Sequence, residues 1–73
     1  MPLKPLPYPE VKRKLIVAGF SEISQKGSHV KFVKSTPERT CNMVVPQYRE
    51  IAIGTLHSIL NQAGLTPKEF EGL

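Results

Sequence analysis

The stretch Gly27-Ser28-His29-Val30-Lys31-Phe32 decides how this chain folds and which chemistry it carries. Lys26-Gly27 ahead of it reads as a turn, because glycine enters the positive-φ region that a tight hairpin needs. Side chains then alternate, with Val30 and Phe32 on one face and His29, Lys31 and Val33 on the other. Ser28 to Ser35 is therefore expected to form a strand. Strand pairing would hold the backbone of His29, so that its ring is aimed. Histidine is the side chain whose ordinary pKa lies nearest neutrality, so it can accept or give a proton at cellular pH. A single histidine on a strand is also a common surface residue, and its chemistry needs support from the rest of the chain.

Outward from this stretch, Phe20 to Gln25 reads as a short strand leading into the turn. Thr36-Pro37-Glu38-Arg39 reads as a second turn, and Thr40 to Val45, rich in β-formers, as a third strand ended by Pro46. Tight turns between neighbours predict an antiparallel meander. Before it, Val11, Leu15 and Ala18 recur at helical spacing over roughly 9–18, with Tyr8 close to that stripe. Pro9 and Glu10 suit the first turn of such a helix, and Gly19 suits the position just past its end. Lys12, Arg13 and Lys14 are expected to face away from the body. Ile16 and Val17 fall outside the stripe, facing either solvent or a partner.

After the third strand, Gln47 to Ile53 reads as a polar link. Gly54-Thr55 is expected to open a second helix that buries Leu56, Ile59, Leu60 and Ala63 and leaves His57, Ser58 and Asn61 wet. Gly64 ends it. Thr66-Pro67-Lys68-Glu69 has the form of a cap for one last short turn, with Phe70 packing back on the body. Residues 1–8, with their prolines, read as an extended lead-in, and 9–73 as one domain. The order helix, three strands, helix is an α+β, two-layer fold. Both helices need the same sheet face to bury their stripes. The face left open carries His29 and Lys31.

A chain of 73 residues buries roughly 60% of its unfolded surface and leaves no room for a deep cavity. A shallow site suits a large extended substrate better than a small metabolite. Ten Lys and Arg stand against six Asp and Glu, a formal charge of +4, which points to a polyanion or an acidic protein partner. Cys41 is alone, so no internal disulfide forms and a reducing compartment is expected. Cys41, His29 and His57 lack metal-ligand spacing, so neither a metal nor another cofactor is expected. No apolar run is long enough for a membrane span.

Gly19-Phe20, Lys26-Gly27-Ser28-His29, Val45-Pro46, and Gly54-Thr55-Leu56 with Ile59-Leu60 and Ala63-Gly64 follow one another in an order that resembles the HicA toxins, also called the YcfA-like family. The resemblance covers about residues 9–70. It implies a fold like the double-stranded-RNA-binding domain and a small endoribonuclease that cleaves messenger RNA in the cytoplasm and arrests growth. It also implies a HicB-type antitoxin that binds and blocks the toxin, and His29 as the catalytic residue. Two positions depart from the family pattern. Tyr48 stands where many members carry a histidine, and His57 where a basic residue often follows the Thr-Leu of the second helix.

A ribonuclease of this kind needs a base near the ribose 2′-hydroxyl, an acid for the leaving oxygen and positive charge near the phosphate. His29 suits the base or the acid. Lys26 and Lys31 flank it, Gly27 and Ser28 offer backbone and hydroxyl groups, and Thr55 at a helix start can position the RNA strand. Tyr48, a lysine or water are the choices for the second proton-transfer group. The rival readings are a non-catalytic module in which the same basic face holds duplex RNA without cutting it, and a docking protein in which Ile16, Val17 and the basic face of the first helix meet an acidic partner.

Overall fold

The computed structural model describes residues 3–73. Its elements run α1 (Tyr8–Val17), β1 (Ser21–Lys26), β2 (His29–Ser35), β3 (Thr40–Pro46), α2 (Ile53–Ala63) and α3 (Pro67–Glu71). The strands form one antiparallel sheet in the order β1-β2-β3. This is the α+β arrangement expected from the sequence, of the double-stranded-RNA-binding-domain type.

The central strand β2 shows why the layers sit as they do. Val30 and Phe32 are fully buried, whereas His29 and Lys31 are exposed. In register, Val30 lies opposite Val45 and Phe32 opposite Met43, so four apolar side chains share one face. Val11 and Leu15 of α1, and Leu56, Ile59, Leu60 and Ala63 of α2, join them in one core. Both helical stripes thus cover the same side of the sheet, and burying each large side chain contributes about 1.5–3 kcal/mol. Ile16 and Val17 of α1 stay exposed, as do His57, Ser58 and Asn61 of α2.

Three helix ends are closed by specific devices. Gly64 takes a left-handed φ of 73° and ends α2. Thr66 and Glu69 form a reciprocal capping box at the start of α3, and Phe70 is buried. The Thr66 N–H donated to Glu69 holds that carboxyl below the usual carboxylate range. This contribution is therefore present above the ordinary carboxylate pKa and is lost as pH falls through the lower value in the fold. Lys34 donates to the Ala18 carbonyl at 2.8 Å, beside Gly19 with its φ of 102°, and closes α1.

Lys14 corrects the sequence expectation that it faces away. It is only 9% exposed, and its ammonium donates to the main-chain oxygens of Phe70, Glu71 and Leu73 at 3.2, 3.4 and 3.1 Å. The reason is geometric. Position 14 lies three after Val11 and four before Ala18, on the edge of the buried stripe. Its methylene stem covers the core while its charge meets the carbonyl end of α3.

The link between β3 and α2 also differs from its polar appearance. Ile51 is fully buried and forms an isolated antiparallel bridge with Leu6, with N···O distances of 3.2 and 2.6 Å. The Tyr8 N–H donates to the Tyr48 carbonyl at 3.3 Å. The extended lead-in expected for residues 1–8 is therefore strapped to this link from Leu6 onward, and Leu3 packs on the core. Its first two residues lie outside the described residues. α2 begins at Ile53, one residue before the expected glycine.

Replacing Lys14 by Met keeps the stem and removes the charge, leaving the α3 carbonyls without their donor. Lys14→Met is expected to lower stability by about 1–3 kcal/mol, read as a reduced urea midpoint at an unchanged slope. An unmoved midpoint would show that the three hydrogen bonds do not form in solution.

Candidate nucleic-acid interface

The site is built on the β1–β2 hairpin. Lys26 and His29 are cross-strand partners, so the loop between them is only Gly27-Ser28. Gly27 has a φ of 60°, and no residue other than glycine has a positive φ among the described residues. A positive φ at the first loop position alone is the pattern of a II′ turn, whose twist matches that of the strands it joins. The turn therefore delivers His29 directly into the ladder, where β3 pairs it on its other side with Pro46.

Paired residues of an antiparallel sheet share a face, so the register fixes what surrounds His29. Lys26, His29 and Pro46 form one row across the helix-free face. Ser24, Lys31 and Val44 form the next, and Ser21, Val33 and Asn42 another. Lys26, His29 and Lys31 are all exposed, and neither lysine has an ion-pair partner among the described residues. Other cations are already engaged within the fold. Arg13 is bonded to Glu10, Lys12 lies 3.6 Å from Glu22, and Lys14 and Lys34 close helices. Lys26 and Lys31 are thus two of the exposed cations an outside anion can meet, with Lys4, Arg39, Arg49 and Lys68 exposed on other parts of the chain.

A bulge interrupts β1 between Glu22 and Ser24, leaving Ile23 outside the ladder and 53% exposed. Below it, the hairpin is tied to the chain that leaves β3. The Gln47 N–H donates to the Ser28 carbonyl at 2.6 Å. The Gln25 amide donates to the Gly27 carbonyl at 3.1 Å and to Gln47 Oε1 at 2.8 Å. Sequence reasoning missed both glutamines. Only the register that sets Pro46 beside His29 brings Gln47 to the turn, and no local pattern announces that register.

Of the six site residues expected from the sequence, four are contiguous, Lys26, Gly27, Ser28 and His29, and Lys31 lies two positions on. Thr55 is placed elsewhere. It is half-buried in the first turn of α2, in the helical layer, and makes no hydrogen bond to the hairpin among the described residues. That turn is preceded by Ala52, which supplies no side-chain cap, and it contains no acidic residue.

The result is a flat, basic, helix-free face with one imidazole at its hairpin end. It fits an extended anion rather than an enclosed small molecule. Among the described residues, no group of three or more His, Cys, Asp or Glu could hold a metal ion, and no helix is long and apolar enough to cross a membrane.

A Cβ added at Gly27 would meet nothing within 4 Å, so a side chain there costs only backbone strain. Gly27→Val is expected to lower stability by about 1–2 kcal/mol through the left-handed φ alone. Unchanged denaturant stability would mean that the turn does not keep this conformation.

A family model described as "HicA toxin of bacterial toxin-antitoxin" matches residues 8–65 of the 73. That span runs from the first residue of α1 to just past α2 and includes the whole hairpin. A search among curated proteins found no match.

Proposed function

Since the chain belongs to the HicA toxin family of toxin–antitoxin systems, we propose that it is an endoribonuclease that cleaves messenger RNA in the cytoplasm with His29 as its catalytic acid or base. The observation that carries this reading is the exposed His29 in the ladder between Lys26 and Pro46, on the sheet face that no helix covers.

In the proposed reaction, the ribose 2′-hydroxyl gives up its proton and its oxygen attacks the adjacent phosphorus in line. The bond to the 5′-oxygen breaks, and that oxygen takes a proton as it leaves. The products are a 2′,3′-cyclic phosphate and a 5′-hydroxyl end. His29 serves as base for the first transfer or acid for the second, and water makes the other. Lys26 and Lys31, with no ion-pair partner among the described residues, stabilise the charge that gathers on the phosphoryl oxygens. Gly27 lets the backbone come close, and Ser28 offers a hydroxyl. Thr55 positions a more distant part of the strand from the start of α2. No step calls for a metal or another cofactor.

Membership of a toxin–antitoxin family implies an antitoxin partner. We assign it to the HicB type, silencing the toxin by covering His29.

One positioned acid–base group supplies about 10²–10⁴-fold. His29→Ala is expected to cut RNA at least about 100-fold more slowly, in EDTA as in its absence, while melting and binding antitoxin as the parent does. A variant that cuts at the parental rate would end the assignment. Bound but uncut RNA with the parent protein would favour the binding module, whose affinity would fall steeply with salt.

A further inference from the structure

The chain has five aromatic residues, two Tyr and three Phe, and no Trp. Tyr8, Phe20, Phe32 and Phe70 are buried in the core. Tyr48 alone is left to solvent, 51% exposed. Its position is not arbitrary. It lies two residues after Pro46, the cross-strand partner of His29.

The backbone there is held from both sides. The Tyr48 carbonyl accepts the Tyr8 N–H at 3.3 Å. The preceding Gln47 is fixed to the hairpin through the Ser28 carbonyl at 2.6 Å and the Gln25 amide at 2.8 Å. The next residue, Arg49, is exposed and cationic. A solvent-facing ring on a fixed backbone, next to a basic edge, is the arrangement on which unpaired bases stack. Bases inside a duplex are not free to do so.

We infer that Tyr48 is a stacking platform for a base of single-stranded RNA next to the scissile phosphate, and that it sets which bond reaches His29. This rests on the ribonuclease reading and narrows its substrate to unpaired RNA, although the fold is of a duplex-binding type. The ring acts, not the hydroxyl.

The test measures binding of a single-stranded 2′-O-methyl oligoribonucleotide, which has no free 2′-hydroxyl to attack, by fluorescence anisotropy. The parent, Tyr48→Phe and Tyr48→Ala are compared, and each is checked for folding by thermal melting. Cleavage of the unmodified RNA is measured in parallel. Tyr48→Phe is expected to bind within about twofold of the parent, and Tyr48→Ala about 5- to 150-fold more weakly, the range for loss of one stacked base. An abasic nucleotide moved along the strand should weaken the parent at one position and leave Tyr48→Ala unaffected there. Equal binding by Tyr48→Ala in a parent that cuts RNA would overturn the stacking role alone. A loss in Tyr48→Phe as large as in Tyr48→Ala would also overturn it, by assigning the effect to the hydroxyl. A parent that neither binds nor cuts RNA would remove the ribonuclease reading and this inference together.

Discussion

Everything in this small domain depends on strand β2 being paired along both edges. Its backbone is hydrogen-bonded to β1 and to β3, so its side chains have no freedom except to alternate between faces. Val30 and Phe32 must then enter the core with Val45 and Met43, and His29 and Lys31 must leave it. A slip of one residue would bury an imidazole and an ammonium and expose a phenylalanine. The hydrophobic cost of that slip fixes the register, and the register in turn presents the histidine. Stability and chemistry are two faces of one strand.

The cations divide by the same logic. Lys14 and Lys34 sit where long apolar stems can lie on the core and their charges can meet the carbonyl ends of α3 and α1. Arg13 and Lys12 are matched by Glu10 and Glu22. Lys26 and Lys31 point away from the helices and meet no acid among the described residues. Two cations of the chain thus stand beside His29, while Lys4, Arg39, Arg49 and Lys68 are exposed on other parts of it. Cations so placed attract a polyanion toward His29.

Much of this could be read from residue order. The period-2 alternation of β2, the helical spacing of Leu56, Ile59, Leu60 and Ala63, and the Thr66-Pro67 start of α3 are local signals, and each marks a real element. What escaped reading depends on contacts far apart in the chain. Ile51 looks like a stray apolar residue until Leu6 bridges to it. Lys14 looks like part of a solvated basic run until the last residues fold back over it. Gln25 and Gln47 acquire a role only when the end of β3 meets the hairpin. Of the site, the Lys26–Lys31 stretch was legible because a turn and a strand specify it locally. Thr55 lies on a different layer, and no spacing in the sequence relates it to His29.

The central claim is that the hairpin end of the helix-free face is where RNA meets the protein. Amide chemical shifts followed by NMR, as a non-cleavable single-stranded oligonucleotide is added to the parent protein, test it residue by residue. The account predicts the largest changes at Lys26, Gly27, Ser28, His29 and Lys31, with Ile16 and Val17 on α1 unmoved. Changes confined to α1, with the hairpin silent, would contradict it.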